Sequence, residues 1–414
     1  MSMWRRSRKA SISAVAAPEG PAREKERETV REDRLPERPP AIYDGRTAAP
    51  EPAATEKPAS REPREAAEGR APGKTLMAVE NLRVSFRTHG GEVQAVRGVD
   101  LQLREGETLA IVGESGCGKS VTARSLMRLL PEQTSKLGKD SRIVWKGVDL
   151  TRLKEKELRK LRGAEISMIF QDAMTALNPT LTVGEQLIES IALHRKVPRS
   201  EARRIAVEML GLVGIPSPET RLKQYLGEFS GGMRQRIMIA IAASCNPSLL
   251  IADEPTTALD VTIQAQILEL FRMLQQKTGV SIVLITHDLG VVAETADRVC
   301  VMYAGEIVES GSVRELFRRP RHPYTRGLLA SMPRLDRDRS RQLEPIPGTP
   351  PDLFAPPPGC AFAARCPHAM EVCRLHHPAS TQVGGSHSVS CWLEDPRAQQ
   401  APPSSPAGRS AAIG

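Results

Sequence analysis

Aromatic residues make up only 3 % of this 414-residue chain. That scarcity counts against a protein that binds nucleic acid through stacking rings. Long apolar runs are missing as well: the longest near a core helix, Ile237 to Cys245, falls far short of the ~20 residues a membrane-spanning helix needs. No secretory leader is legible, because Arg5-Arg6-Ser7-Arg8-Lys9 is followed by a stretch, Ala10 to Pro18, too weakly apolar for a signal core. Seven cysteines in an intracellular chain read as ligands or inert core thiols rather than a disulfide framework. Heptad repeats are absent. The expectation is a cytosolic protein, attached to a membrane, if at all, through a partner. The net charge of +9 is spread along the chain and reads as solubility plus contact with an acidic surface, not with nucleic acid.

Residues 1–75 are rich in Pro, Ala, Arg and Glu and carry almost no large apolar side chains. Such a segment cannot bury enough surface to offset its ordering entropy, which predicts a disordered extension. From Leu76 the texture changes. Val79 to Phe86 alternates apolar and polar, Gly90-Gly91 marks a turn, and Val93 to Leu103 resumes the alternation, which predicts an antiparallel hairpin that Trp145 to Leu150 extends. The runs Ile166 to Phe170, Leu249 to Ala252, Ile282 to Thr286 and Val299 to Tyr303 read as buried strands. They alternate with helices such as Glu201 to Leu212, where Ile205, Met209, Leu212 and Val213 share a face. Strands alternating with helices define an α/β fold with a parallel core over residues 76–312. A smaller Pro-, Arg-, Cys- and His-rich region follows at 313–395, then a polar tail at 396–414 that is expected to be disordered.

The chain is organised around Gly113-Glu114-Ser115-Gly116-Cys117-Gly118-Lys119-Ser120, a G-x-x-x-x-G-K-S loop between the apolar run Thr108 to Val112 and the helical run Val121 to Met127. That context is the one a phosphate-cradling loop requires. Its backbone N–H groups and the helix N-terminus face phosphate oxygens, Lys119 reaches the β/γ-phosphates, and the Ser120 hydroxyl ligates Mg²⁺. The chain is therefore expected to bind a nucleoside triphosphate. The run Ser248 to Ala252 delivers Asp253 and Glu254 to the strand end where α/β sheets hold ligands. Asp253 is placed to complete the Mg²⁺ site, and Glu254 to take a proton from the water that attacks the γ-phosphate. His287 and Gln171 follow other apolar runs and arrive at the same edge, Gln171 as a sensor of water or metal. Phe229-Ser230-Gly231-Gly232-Met233-Arg234-Gln235-Arg236 opens another helix with a second anion-binding N-terminus, which one reading assigns to a nucleotide on another subunit.

Together these motifs resemble the ATP-binding cassette of ABC transporters over roughly residues 77–312, a P-loop NTPase fold with a RecA-like parallel core, an antiparallel β portion and a helical subdomain. The resemblance implies a Q-loop at Gln171, a signature at Ser230 to Gln235 reading S-G-G-M-R-Q, a Walker B strand ending at Asp253 with catalytic Glu254, a D-loop at Ala258-Leu259-Asp260 and a switch histidine at His287. It implies that Phe86 stacks on adenine, and that two cassettes face head to tail around two ATP molecules. Ile169 to Pro179, Ala252 to Thr262, and Arg321-His322-Pro323-Tyr324-Thr325 followed by Pro345 to Gly348 are similar to the oligopeptide/dipeptide importer branch, and Phe229 to Gln235 to its "D" ATPase subunit. Ala176 stands where Ser is usual, and Tyr225-Leu226-Gly227-Glu228 replaces the common Tyr-Pro-His-Glu or Gln. The branch implies two permeases, a similar "F" ATPase as heterodimer partner, an extracytoplasmic binding protein, and a peripheral place on the cytoplasmic face of the inner membrane. A soluble cassette ATPase acting on DNA or ribosomes is the rival class, and nickel, an oligosaccharide or a cationic peptide the rival cargo.

Cys360, Cys366, Cys373 and Cys391 are spaced C-x₅-C-x₆-C-x₁₇-C. Four thiolates suit zinc or an iron–sulfur cluster, and spacing does not separate them. The family resemblance implies a [4Fe–4S] cluster, with Zn²⁺ the alternative. Nearby His368, His376, His377 and His387 read as surface residues. Cys117, Cys245 and Cys300 read as inert small residues.

Overall fold

A computed structural model describes residues 73–257, 259–332 and 345–399, which fall in one compact unit. The expectations for 1–72, for Ala258 of the D-loop and for 400–414 lie outside the described residues. The described residues open on a long antiparallel hairpin, β1 (Thr75–Thr88) and β2 (Gly91–Arg104), which turns at His89-Gly90, one residue ahead of the expected Gly90-Gly91. The short strands β4 (Ser135–Leu137) and β5 (Arg142–Trp145) both pair with β1, and β6 (Val148–Asp149) pairs with β5. The run read as one extension, Trp145 to Leu150, is in fact broken, because Lys146 and Gly147 take positive φ and turn the chain back on itself.

The second sheet carries the chemistry. Among the described residues it holds eight strands, with β3 (Thr108–Val112) between β9 (Ser281–Thr286) and β10 (Arg298–Tyr303), and β8 (Leu249–Asp253) and β7 (Ile166–Ile169) beyond β9. These five run parallel. β3, β7, β8 and β9 are buried along their whole length, as the continuous apolar runs require of strands covered on both faces. One apolar layer joins this sheet to the antiparallel one through Leu103, Leu109, Ile111, Leu126 and Ile251.

A second cluster packs helices Val183–Arg195, Arg199–Leu212 and Gly231–Ala243 into a helical subdomain. The first of these starts at a reciprocal cap: the Thr182 hydroxyl accepts from the Glu185 N–H, and the Glu185 carboxylate accepts from the Thr182 N–H at 2.7 Å. Helix Arg199–Leu212 buries Ala202, Ile205, Ala206, Met209 and Leu210, with Leu212 only half-buried.

The chain beyond Ser312 returns to the same sheet. β11 (Glu306–Ser312) pairs antiparallel with β10, and the hairpin β12 (Thr381–Gly384) and β13 (His387–Val389) adds to β11 through Glu309↔Val389 and Ser310↔Ser388. Pro396–Gln399, expected within a disordered tail, forms a short helix held by Arg397 against Asp395.

Candidate functional site

Strand β3 ends in the middle of the sheet and releases the glycine loop there. Gly113 and Gly118 have φ of 155° and 100°, and a Cβ on either would stand 2.1 Å from the Met302 carbonyl oxygen or 2.4 Å from that of Ala95. Only glycine fits. The loop feeds helix Lys119–Leu126, capped by Gly118. Lys119, 4 % exposed, donates its ammonium to the carbonyls of Gly113 and Glu114, both at 2.9 Å. Ser115 and Gly116 complete the loop's rim, with Gly116 opening on empty space. The Cys117 thiol lies 4.0 Å from that ammonium, and burial pushes its pKa up.

Ser120 donates its hydroxyl to Asp253 at 2.7 Å. Asp253 is fully buried at the end of β8; its second oxygen has no hydrogen-bond partner, with the Arg124 guanidinium 4.0 Å away. Burial raises its pKa, partly offset by the Ser120 hydroxyl and Arg124. A buried carboxylate with a spare oxygen beside a loop hydroxyl fits a Mg²⁺ site that completes its shell with water and phosphate. Gln171, also expected at the metal, donates its amide to Glu254 instead.

Glu254 follows at once, in the left-handed region with φ of 47° and its N–H donated to the Ile285 carbonyl of β9. One carboxylate oxygen accepts from the Gln171 amide at 3.1 Å and the Thr257 hydroxyl at 3.0 Å, and stands 3.5 Å from Nδ1 of His287. Three strand ends, β7, β8 and β9, thus deliver Gln171, Glu254 and His287 to a single oxygen. Thr257 is the member the sequence reading missed; a hydroxyl three residues after the carboxylate was the available signal.

Ser230 caps helix Gly231–Ala243, its hydroxyl accepting from Met233 N–H. Ser230 and Gly231 are exposed between the buried Phe229 and the half-buried Gly232, and no hydrogen bond or ion pair among the described residues joins them to the phosphate loop. A Cβ on Gly232 would meet Ile263 at 2.8 Å, so the second glycine serves helix packing. Phe86 is half-buried near the end of β1 and packs on the core between the sheets.

The four-cysteine expectation is met only in part. The pKa values of Cys360, Cys366 and Cys391 are raised, first by burial and then by neighbouring thiols that include Cys373; Cys360 is pushed up to about 12 and Cys391 up to about 11. Yet no group of three His, Cys, Asp or Glu side chains among the described residues is placed to hold a metal ion. The thiols converge without closing, so as they stand they do not fit a cluster. Cys300 is buried in β10 and Cys245 half-buried, as inert residues would be. His368, His376 and His377 are exposed, with His377 paired to Glu306, but His387 is buried and bonds the buried Glu309 at 2.7 Å. No helix of the described residues is long and apolar enough to cross a membrane.

A parallel sheet carrying a phosphate loop, a Walker B strand and a separate helical subdomain with its own signature turn defines an ATP-binding cassette. The ABC transporter family model matches residues 96–257, and the model of the oligopeptide/dipeptide transporter C-terminal region matches 308–373. The chain is 62 % identical over 79 % of its length, and 97 % of the relative's, to the dipeptide transport ATP-binding protein DppD of Bacillus subtilis (strain 168). It is 57 % identical over 79 % of its length, and 91 % of the relative's, to the oligopeptide transport ATP-binding protein OppD of the same strain. Among solved structures, the dimeric ATP-binding cassette MJ0796 in a post-hydrolysis state bound to ADP and Pi matches with a TM-score of 0.52 and 27 % identity, over 58 % of this chain and 99 % of that one. The chain belongs to the ATP-binding subunits of the ABC transporter family, within the oligopeptide/dipeptide branch.

Proposed function

We propose that this chain is the ATP-hydrolysing subunit of a peptide importer. The observation that carries the reading is the convergence of Gln171, Thr257 and His287 on the Glu254 carboxylate, one residue past the buried Asp253. In this reading Lys119 leaves its two carbonyls for the β/γ-phosphates, and Phe86 stacks on adenine. Ser120 and Asp253, with Gln171 at the margin, hold Mg²⁺, which when bound neutralises phosphate charge. Glu254 takes a proton from the attacking water as the bond between the γ- and β-phosphates breaks and ADP leaves. Gln171 and His287 fix the carboxylate and that water. Ser230, Gly231 and, through its packing, Gly232 serve the ATP of a second cassette, in keeping with the exposure of Ser230 and Gly231 and their lack of a bond to this chain's own loop; the dimeric MJ0796 structure supports that arrangement.

The partners in this reading are two transmembrane permeases, a similar "F"-type ATPase and an extracytoplasmic binding protein, with this chain at the cytoplasmic face of the membrane. The names of the relatives favour di- and oligopeptides over nickel or an oligosaccharide as cargo. The converging thiols support a finer reading as ligands of an iron–sulfur cluster, or of zinc, that close only when the metal is bound. Iron, sulfide and zinc analysis of anaerobically purified protein tests this, and a metal-free protein contradicts it.

The hydrolytic role is tested with Glu254→Gln, which removes the base and keeps the shape. MgATP binding is expected to persist while turnover falls ~10²–10⁴-fold. Unchanged turnover would refute the assignment.

A further inference from the structure

The second residue of the phosphate loop is held from outside the cassette core. The Glu114 N–H donates to the Tyr324 hydroxyl at 2.8 Å, and its carboxylate accepts from Arg365 Nη1 at 2.7 Å. Its carbonyl, with that of Gly113, is what the Lys119 ammonium rests on. Both outside partners belong to the C-terminal region, and both are buried: Tyr324 is fully enclosed and the Arg365 side chain is 6 % exposed.

Arg365 makes four hydrogen bonds, the one to Glu114 included. Nε donates to the Pro347 carbonyl at 2.9 Å, Nη2 to the Ile346 carbonyl at 3.2 Å, and Nη1 also reaches the Tyr303 hydroxyl at 3.3 Å. Its plane lies against Tyr303 and Phe362, whose rings pack with Tyr324. A buried planar guanidinium held by four hydrogen bonds and two rings has little freedom to move, and it passes that restraint to Glu114. A glycine-rich loop by contrast has many conformations of its own, and ordering it on binding costs affinity.

We propose that Arg365 is a positioning residue for ATP binding: with Tyr324 it fixes Glu114, thereby presets the carbonyl pair that seats Lys119, and so lets the C-terminal region set the affinity of the phosphate loop. The inference rests on the reading of that loop as the ATP site. Arg365 touches neither the phosphates nor the attacking water, so its loss acts on ATP affinity and spares the chemical step.

The test uses the full-length chain, with MgATP dissociation constants by calorimetry and steady-state hydrolysis. Arg365→Met is expected to raise Kd and KM about tenfold with kcat within about twofold, the loss of one charge-assisted hydrogen bond. Arg365→Lys, which keeps a donor for Glu114, should fall between. Combining Arg365→Met with Glu114→Gln should cost no more than the larger single change, because the two share one interaction. If Arg365→Met does not fold, Tyr324→Phe decides: it keeps the ring, strands the Glu114 N–H, and should weaken MgATP about threefold. Wild-type affinity in folded Arg365→Met, or in Tyr324→Phe where the former does not fold, overturns the inference, as does an additive double variant. The nucleotide reading fails separately, if the wild type itself does not bind MgATP or Lys119→Ala binds it as well as the wild type.

Discussion

Glu254 sits in a backbone region that disfavours ordinary side chains, at a cost on the order of 1–3 kcal/mol. The conformation persists because Ile285 holds its N–H and three side chains hold its carboxylate. Gln171, Glu254 and His287 were legible in sequence because each lies within two residues of the end of an apolar run, and parallel strands end on a common edge. Arg365 and Tyr324 were not, because their partner Glu114 lies more than 200 residues away and no local pattern links them. His387 was misread for the same reason: its neighbours are polar, and only the pairing of β13 with β11 buries it against Glu309. His322 gives a residue-scale prediction. It is buried, accepts from the Tyr324 N–H through Nδ1, and leaves Nε2 without a partner, so burial pushes its pKa down to about 3. The unfolded chain binds this proton below about pH 6.5 and the folded one does not, so stability falls as pH drops from 6.5 towards 3. At pH 5 the loss is about 2 kcal/mol. In His322→Asn, which keeps an acceptor for Tyr324, the thermal midpoint should change less between pH 7 and pH 5 than in wild type; an equal slope contradicts the account.

At the scale of elements, the buried parallel strands were easy to find and the short polar ones were not. Continuous apolar runs mark β7, β8 and β9 unambiguously once their lengths exclude helices. β12 and β13 carry half-exposed polar residues and owe their existence to an edge of the sheet that only the folded cassette provides. The phosphate loop shows the tightest element-scale constraint. Gly118→Ala would drive a methyl into the Ala95 carbonyl of β2, a neighbour that is itself backbone in a fourteen-residue strand. We expect this variant to fold, judged by far-UV circular dichroism, yet to bind MgATP at least tenfold more weakly because helix Lys119–Leu126 must shift. Wild-type affinity would mean the loop yields more readily than its packing implies.

At the scale of the whole molecule, the described residues hold a phosphate loop and, with no hydrogen bond to it, the turn at Ser230 to Gly232. Ser230 and Gly231 are exposed, and Val261, which opens the helix after Asp260, is 82 % exposed. In the proposed reading a second cassette would cover both, each chain lending its signature to the other's nucleotide. Glu254→Gln, expected to bind without hydrolysing, should therefore shift to about twice its monomer mass in MgATP, alone or with the proposed "F"-type partner; a monomer under both conditions contradicts the sandwich. The account as a whole stands on hydrolysis at Glu254 driving peptide entry. Uptake of labelled di- and oligopeptides by the native host, with wild-type protein or Glu254→Gln, measures that link directly. Uptake should collapse in the variant, and peptides that enter at the wild-type rate would contradict the assignment of this motor to peptide import.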